Sequence, residues 1–244
     1  MSLQIFLYGR NGRMGQAIEA QINAQDGLEV CGGISAGETL VSPEKVDVVI
    51  DFSGAAAAAD ALEFARKNKA ALVAGTTGMS DAYDQAFDAA SQEIPVLYAA
   101  NMSFGVNVLR YLVERAAALL PDEWNAEIVE LHHNRKVDSP SGTALALLES
   151  ANAGRGRAPR EGLLAARDGQ VGARTPEEIG VFGVRGGNVA GEHTVYFFGE
   201  DERIELTHRA NSRDIFAQGA VRCARWIADK PAGKYGIEDV LGLN

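Results

Sequence analysis

Short apolar runs alternate with helix-like segments through the first half of the chain, and this alternation constrains the fold most strongly. Apolar runs predict strands at residues 4–9, 28–34, 46–53, 70–75 and 94–100. Helical periodicity follows the first, third, fourth and fifth of them, at 13–25, 55–68, 80–91 and 105–120. Strands that are apolar throughout and separated by helices are typical of a parallel sheet covered on both faces. An α/β domain with a doubly wound, Rossmann-type sheet is therefore predicted.

The pattern changes after Pro121. A strand-like segment at 126–133 precedes a helix that should start near Ser141, and residues 152–178 are predicted to form a long loop. Three further strands without intervening helices are predicted at 179–185, 192–199 and 203–210, and a final helix at 213–229. Residues 199–202 should form the turn of a hairpin. These features predict a smaller α+β domain with a mixed or antiparallel sheet.

The bulk composition excludes several classes of function. The formal net charge is -10, so nonspecific binding to nucleic acid or to an anionic membrane is not expected, because both need basic patches. No run of about 18 apolar residues is present, and the start MSLQIFLYG lacks the basic segment of a signal peptide. We therefore expect a cytoplasmic protein with no membrane partner.

The glycine loop GRNGRMG, residues 9–15, lies between the first predicted strand and helix. Gly9, Gly12 and Gly15 allow a tight turn and close approach of the backbone to a pyrophosphate, and the helix start supplies free N–H groups. Arg13 could add a charged contact. The alternative is a strand–helix turn with no ligand, but the surrounding βαβ pattern favours dinucleotide binding.

The end of the second strand bears on the choice of cofactor. An acidic residue there holds the 2′-hydroxyl of NAD, but this strand ends GISA, with Ser35 last but one and no acid or arginine beside it. Glu38 lies farther along the chain. Without a carboxylate to repel a 2′-phosphate, NADPH should be tolerated, and the choice between NADH and NADPH stays open. The segments AGTTG (74–78) and AANMS (99–103) follow two other strands and can approach a nicotinamide and its ribose, or serve only as turns and caps.

The segment ELHHNRKVDSPSGTA, residues 130–144, collects cations beside a predicted helix start. One interpretation places one histidine in the core and the other in solvent. Metal binding is disfavoured, because adjacent histidines cannot readily share an ion and no supporting metal motif is present. In the third interpretation, Ser141 or Thr143 caps the helix and its free N–H groups bind an anion, while histidine and Lys136 exchange protons. With a dinucleotide site, this predicts hydride transfer to an anionic, unsaturated substrate.

These residues resemble a known family. HHNRKVDSPSGTA is similar to the HHxxKxDxPSGTA signature of dihydrodipicolinate reductase, now called 4-hydroxy-tetrahydrodipicolinate reductase, and the resemblance covers nearly the whole chain. It implies NADH- or NADPH-dependent reduction of 4-hydroxy-tetrahydrodipicolinate to tetrahydrodipicolinate in the diaminopimelate route of lysine biosynthesis, without a metal. It also implies a homotetramer, a dinucleotide-binding domain at 1–103 and 213–244, and a substrate-binding and oligomerisation domain at 104–212.

The resemblance also implies roles for individual residues. His132 matches the catalytic proton donor and acceptor, and Lys136 matches a second proton donor. His133, Gly142 and Thr143 match substrate-binding positions, and Arg213 at the last strand–helix junction is expected to assist. The expected cofactor contacts are Gly9, Arg10, Asn11, Gly12, Arg13, Met14, Ser35, Gly75, Thr76, Thr77, Ala99, Ala100, Asn101 and Met102. Two departures from many family members are Ser35-Ala36, in place of a pair such as Glu-Arg, and Met102, in place of Phe.

Two rival functions fit parts of the sequence. A nicotinamide-dependent reductase with another substrate would leave the HHNRK segment unexplained. A cofactor-binding sensor without turnover would bind NADPH but would not depend on His132 or Lys136.

Overall fold

The structure is a computed structural model that describes residues 2–243 of the 244-residue chain. The chain divides into two compact units. The first unit comprises the residues up to Phe104 and those from Asp214 onward, and the second unit is Gly105–Arg213. In chain order the elements are β1 (Leu3–Tyr8), α1 (Arg13–Asn23), β2 (Leu28–Ile34), β3 (Val48–Asp51), α2 (Ala55–Asn68), β4 (Ala71–Ala74), α3 (Asp81–Ala90), β5 (Pro95–Tyr98), α4 (Phe104–Leu119), β6 (Asn125–His132), α5 (Gly142–Gly154), β7 (Leu163–Leu164), β8 (Ile179–Arg185), β9 (Glu192–Phe198), β10 (Arg203–Arg209), α6 (Asp214–Ile227), β11 (Gly233–Tyr235) and α7 (Ile237–Leu241).

The first unit is built on a parallel sheet with the strand order β11-β5-β4-β3-β1-β2. The chain leaves β1 for β2 on one side and then crosses to β3 on the other, so the strand order reverses next to β1. Residues at the carboxyl ends of the strands are in register: Tyr8 pairs with Ile34 and Asp51, and Ala74 pairs with Asp51 and Tyr98. The loops that follow these strands therefore lie along one edge of the sheet, where open α/β sheets bind ligands.

Alternate residues of β1 pack on opposite faces of this sheet. Ile5 and Leu7 belong to a core cluster that includes residues of α1 and α6, whereas Phe6 and Tyr8 belong to a cluster with residues of α2 and α3. All four side chains are buried. This two-sided burial explains why the end of β1 is a continuous apolar run.

The second unit contains a mixed sheet with the strand order β10-β9-β6-β8-β7. β6 runs parallel to β8 and antiparallel to β9, which pairs antiparallel with β10. The turn between β9 and β10 is closed by the N–H of Gly199, which donates to the carbonyl of Glu202 over 2.9 Å. Inward-facing residues of the strands pack with Leu147 and Leu148 of α5 in a third core cluster.

The predicted fold class is confirmed, as is the hairpin turn at 199–202. Three short elements escaped prediction: β7, β11 and α7. Each has five residues or fewer, which is too short for a periodic hydrophobic signal. β7 falls inside the segment predicted as a long loop, and it pairs with the start of β8. Among residues 2–243, no helix is long and apolar enough to cross a membrane.

Candidate active site

The glycine loop after β1 has the geometry of a phosphate cradle. Gly9 adopts φ +81°, and a Cβ there would lie 2.5 Å from the carbonyl oxygen of Phe52. Only glycine therefore fits this turn without strain. Gly12 is the N-cap of α1 and supplies no side-chain cap, so the first N–H groups of α1 have no side-chain acceptor from that position. Arg13 is exposed beside them, whereas the Arg10 guanidinium pairs with Glu19 at 2.5 Å.

Glu38 folds back onto the end of β2. Its Oε2 accepts a hydrogen bond from the Ser35 N–H at 2.7 Å, and its Oε1 accepts one from Asn11 Nδ2 at 2.8 Å. Ser35 Oγ in turn accepts from the Asn11 N–H at 2.9 Å. The expectation that no carboxylate stands at this strand end is therefore wrong. Glu38 lies beyond the end of β2 in sequence, but the turn after β2 brings its carboxylate back to Ser35.

A cavity of about 660 Å³ lies beside these residues in the first unit. Gly9, Ser35 and Glu38 line one part of it, and residues of the β3–α2 connection and of α2 line the rest. Its charged lining residues are Glu38, Asp60, Glu63 and Lys67. Lys67 Nζ lies 3.5 Å from Glu63 Oε1, so the single lining cation already has an acidic neighbour.

The ends of β4 and β5 differ in what they can offer a ligand. A side chain at Gly75 would collide with the Phe52 ring, and the buried Thr76 Oγ1 has no hydrogen-bond partner within residues 2–243. Asn101 Oδ1 accepts from the Ser103 N–H at 2.9 Å. The Met102 side chain is 2% exposed in the first core cluster, so only its backbone is available to a ligand. Thr77 and Ala100 are exposed, and Ala99 is buried.

The residues of the first unit fit a nicotinamide dinucleotide. The fit rests on the glycine turn that a Cβ would fill, the α1 start without a side-chain cap, and the unpaired Thr76 hydroxyl. Gly9, Gly12 and the α1 start would hold the pyrophosphate, and Ser35 with Glu38 would face the adenosine ribose.

In the second unit, the HHNRK segment is fixed against the glycine-rich loop between β8 and β9. The His133 N–H donates to the Val189 carbonyl at 2.9 Å, and the Asn134 N–H donates to the Gly187 carbonyl at 3.2 Å. The Gly186 N–H returns a hydrogen bond to the His132 carbonyl at 2.9 Å. These bonds hold the segment, which begins at the last residue of β6 and continues beyond the strand.

His132 contacts a buried carboxylate. Its Nδ1 lies 2.5 Å from Oε2 of Glu130, which is fully buried, and Arg185 binds both oxygens of Glu130 at 2.7 Å. Burial alone raises the pKa of Glu130. The hydrogen bonds from Arg185, His132 and the Ser141 N–H outweigh that effect and hold the pKa below its usual range.

The predicted cations gather near His133. Burial lowers the pKa of His133, and the positive charges of Arg213, Arg135, His132 and Lys136 lower it further. Lys136 Nζ pairs with Asp138 Oδ1 at 2.9 Å, and its side chain is 20% exposed. An anion near these groups would relieve their mutual repulsion.

Ser141 is the N-cap of α5. Its Oγ accepts from the Ala144 N–H at 3.1 Å and lies 3.1 Å from His193 Nε2. Of the two caps left open by the sequence, the structure selects Ser141. Gly142 and Thr143 are the first residues of α5, and a Cβ at Gly142 would meet open space. Burial and nearby cations lower the pKa of His193 to about 4, so this imidazole is neutral at physiological pH.

Sequence analysis assigned no role to Glu130, Arg185 and His193, and Glu38 was set aside because it lies beyond the end of the second strand. One signal was present: Glu130 and His132 are two residues apart on a strand, so their side chains share a face. No comparable signal links Arg185 or His193 to this segment, because each comes from a distant strand.

The two cysteines, Cys31 and Cys223, are free.

No group of three or more His, Cys, Asp or Glu side chains within residues 2–243 is arranged to hold a metal ion.

The first unit has a glycine loop at the strand-order reversal of a parallel sheet, and the second unit has histidines and cations close to the start of α5. These features are typical of a dinucleotide-dependent oxidoreductase. Two family models then identify it further: dihydrodipicolinate reductase, N-terminus, matches residues 3–102, and dihydrodipicolinate reductase, C-terminus, matches residues 105–241. The chain belongs to the dihydrodipicolinate reductase family, which confirms the resemblance seen in the sequence.

Relatives from several bacteria match along their full length. A 4-hydroxy-tetrahydrodipicolinate reductase from an Anaeromyxobacter species is 46% identical, and the match covers 99% of this chain and 98% of that protein. The enzyme of the same name from Zymomonas mobilis is also 46% identical, with the same coverage of both chains.

Solved structures share the fold. Dipicolinate-bound dihydrodipicolinate reductase from Paenisporosarcina aligns with a TM-score of 0.78 at 21% identity, covering 97% of this chain and 98% of that one. A myo-inositol dehydrogenase from Corynebacterium glutamicum aligns with a TM-score of 0.54 at 15% identity, covering 94% of this chain and 89% of that one. The fold is thus shared with a dehydrogenase that is named for a different substrate.

Proposed function

We propose that this protein catalyses the NAD(P)H-dependent reduction of 4-hydroxy-tetrahydrodipicolinate to tetrahydrodipicolinate in the diaminopimelate route of lysine biosynthesis. The observation that carries the proposal is the cation cluster around His133, set beside the Ser141-capped start of α5. A dianionic ring compound needs such a combination of point charges and a helix N-terminus. Full-length relatives at 42–46% identity bear the name of this reaction.

The proposed substrate contacts lie in the second unit. Lys136, His133 and the N–H groups of Gly142 and Thr143 would bind the two carboxylates, with Arg213 adding positive charge. The same charges would stabilise negative charge that develops on the substrate during reduction.

When bound, the nicotinamide cofactor supplies the hydride for one ring carbon of the substrate's conjugated imine system. His132 or Lys136 gives a proton to the neighbouring atom, so that a hydride and a proton together complete the reduction. His132 suits this role because Glu130 holds its ring and an imidazole can both donate and accept a proton. Lys136 suits it because its ammonium can donate a proton, and its ion-pair partner Asp138 is an exposed carboxylate.

We further propose that NADH is the preferred cofactor. Three carboxylates, those of Glu38, Asp60 and Glu63, line the first-unit cavity with a single lysine. A 2′-phosphate would bring further negative charge to this lining, whereas a free ribose hydroxyl can donate a hydrogen bond to Glu38. The sequence predicts tolerance of NADPH because it places no carboxylate at the end of β2, and the position of Glu38 removes that reason.

A homotetramer is also proposed, and it would form through the second unit. The sheet face opposite α5 exposes Val184 and Phe198, and the Tyr196 ring stacks on Phe198 with centroids 5.6 Å apart. Apolar side chains on an open sheet face are suited to pairing with another copy. Sedimentation of the purified protein would test this assembly.

A cytoplasmic location is proposed from the biosynthetic role, and it would be tested by cell fractionation.

A coupled assay tests the reaction. Dihydrodipicolinate synthase would generate the substrate in place, and loss of reduced-nicotinamide absorbance would be followed in parallel with NADH and NADPH. Oxidation that requires the synthase and is faster with NADH is the expected result. Protein that binds either cofactor but oxidises neither would contradict the proposed reaction and favour a sensor role.

A further inference from the structure

We infer that Glu130 is a positioning residue that fixes the ring of His132 for proton transfer and ties it to the start of α5. The inference rests on the proposed role of His132. Glu130 lies on β6, and its side chain has no exposure to solvent. A buried carboxylate is costly unless it is fully hydrogen-bonded. The hydrogen-bond partners of Glu130 therefore indicate its role in the site.

Both oxygens of Glu130 are saturated with donors. Oε1 accepts from the Ser141 N–H at 3.0 Å and from Arg185 Nη2 at 2.7 Å. Oε2 accepts from Arg185 Nη1 at 2.7 Å and contacts His132 Nδ1 at 2.5 Å. An ionised carboxylate can only accept, so Nδ1 of His132 must carry a hydrogen. The neutral ring then has Nε2 as its only free acceptor.

Space is kept around the Nε2 atom of His132. A Cβ at Gly191 would lie 3.0 Å from it, so a side chain at this position would crowd the atom. The His132 side chain is 12% exposed, which leaves a path for a small substrate. Nε2 is therefore the atom at which His132 exchanges a proton.

Glu130 also connects His132 to the anion-binding helix start. The Ser141 N–H donates to Glu130, and the Ser141 Oγ caps α5 through the Ala144 N–H. One carboxylate thus fixes both the ring of His132 and the residue that caps α5. If Glu130 served only to neutralise Arg185, it would not need its contact with His132.

The electrostatic consequence follows from the groups around His132. Glu130 supplies the negative charge nearest the ring, and removing that charge disfavours the protonated ring. The alkaline limb of the rate profile should then move to lower pH. Several positive or neutral groups stay in place when Glu130 is neutralised, namely Arg185 from β8, His193 from β9, and His133 and Lys136 from the following segment.

The test compares Glu130→Gln with Glu127→Gln. Glu127 lies on the same strand and is also bound by both ends of an arginine, Arg167, at 2.9 and 2.7 Å, but no histidine contact to it is found within residues 2–243. Glu130→Gln should lower kcat about 10- to 100-fold, with a smaller change in KM, and shift the alkaline limb to lower pH. Glu127→Gln should leave both unchanged.

A second measurement keeps the test valid if Glu130→Gln folds poorly. The double variant Glu130→Gln/Arg185→Met removes the guanidinium left unpaired by the amide, and the same pH profile applies to it. In the unsubstituted protein, ¹⁵N–¹H spectra of the imidazole rings, assigned with His132→Asn, should show the proton on Nδ1 in neutral His132. A proton on Nε2, or equal losses of kcat in the Glu127 and Glu130 variants, would overturn the inference. The spectra need no turnover, so they separate failure of this inference from failure of the proposed reaction.

Discussion

Replacing Ser141 with alanine should destabilise the second unit by more than an ordinary helix cap is worth. Ser141 is 2% exposed, and its Oγ has two partners, the Ala144 N–H and His193 Nε2, each at 3.1 Å. Loss of the cap costs about 1 kcal/mol. Loss of the second bond leaves a buried ring nitrogen unpaired, which costs about 1–3 kcal/mol. The free energy of unfolding should therefore fall by about 2–4 kcal/mol.

Ser80 provides a matched control. It caps α3 by accepting from the Tyr83 N–H at 3.4 Å, but it is exposed and has no buried histidine beside it. Ser80→Ala should cost about 1 kcal/mol or less.

Two tryptophans allow the two units to be followed separately. Trp124 lies in the second unit and Trp226 in the first, so variants with a single tryptophan report urea unfolding of each unit by fluorescence. The reasoning is refuted if Ser141→Ala, reported by Trp124, costs no more than Ser80→Ala, reported by Trp226.

Three further predictions follow from the site and its supports. Lys136→Ala should retain cofactor affinity, measured by fluorescence titration, but lose about 10²- to 10⁴-fold in kcat, and full turnover would rule out a proton-donor role. The unfolded chain should bind a proton at His193 near its ordinary value of 6.5, whereas the folded chain binds it near 4. His193 should therefore remove up to about 3 kcal/mol of stability as the pH is lowered through this window, and His193→Phe should make the slope shallower by that share in denaturant titrations at a series of pH values. Gly9→Ala should destabilise the protein more than Gly78→Ala, because both glycines have φ near +80° but only a Cβ at Gly9 meets Phe52. Equal thermal shifts for the two variants would contradict the steric argument.

The alternation of apolar runs and helices was sufficient to predict the first five strands of the first unit, because the central strands β1, β3 and β4 are largely buried on both faces and largely apolar. The short elements were harder to predict from the sequence. β11 has three residues and is defined by pairing with β5, so its identity depends on a strand far away in sequence.

The site divides in the same way. The sequence by itself determined the glycine loop, the HHNRK segment and a helix start near Ser141, because each is a local motif formed by residues within a few positions of one another. Only the tertiary structure decided how these groups are supported. Arg185 reaches Glu130 across 55 residues, and His193 reaches Ser141 across 52. Glu38 returns to the end of β2 through a turn whose path no spacing rule gives. Such contacts depend on strand pairing and register. They form, and stabilise the site, only when the folded sheet brings the partners together.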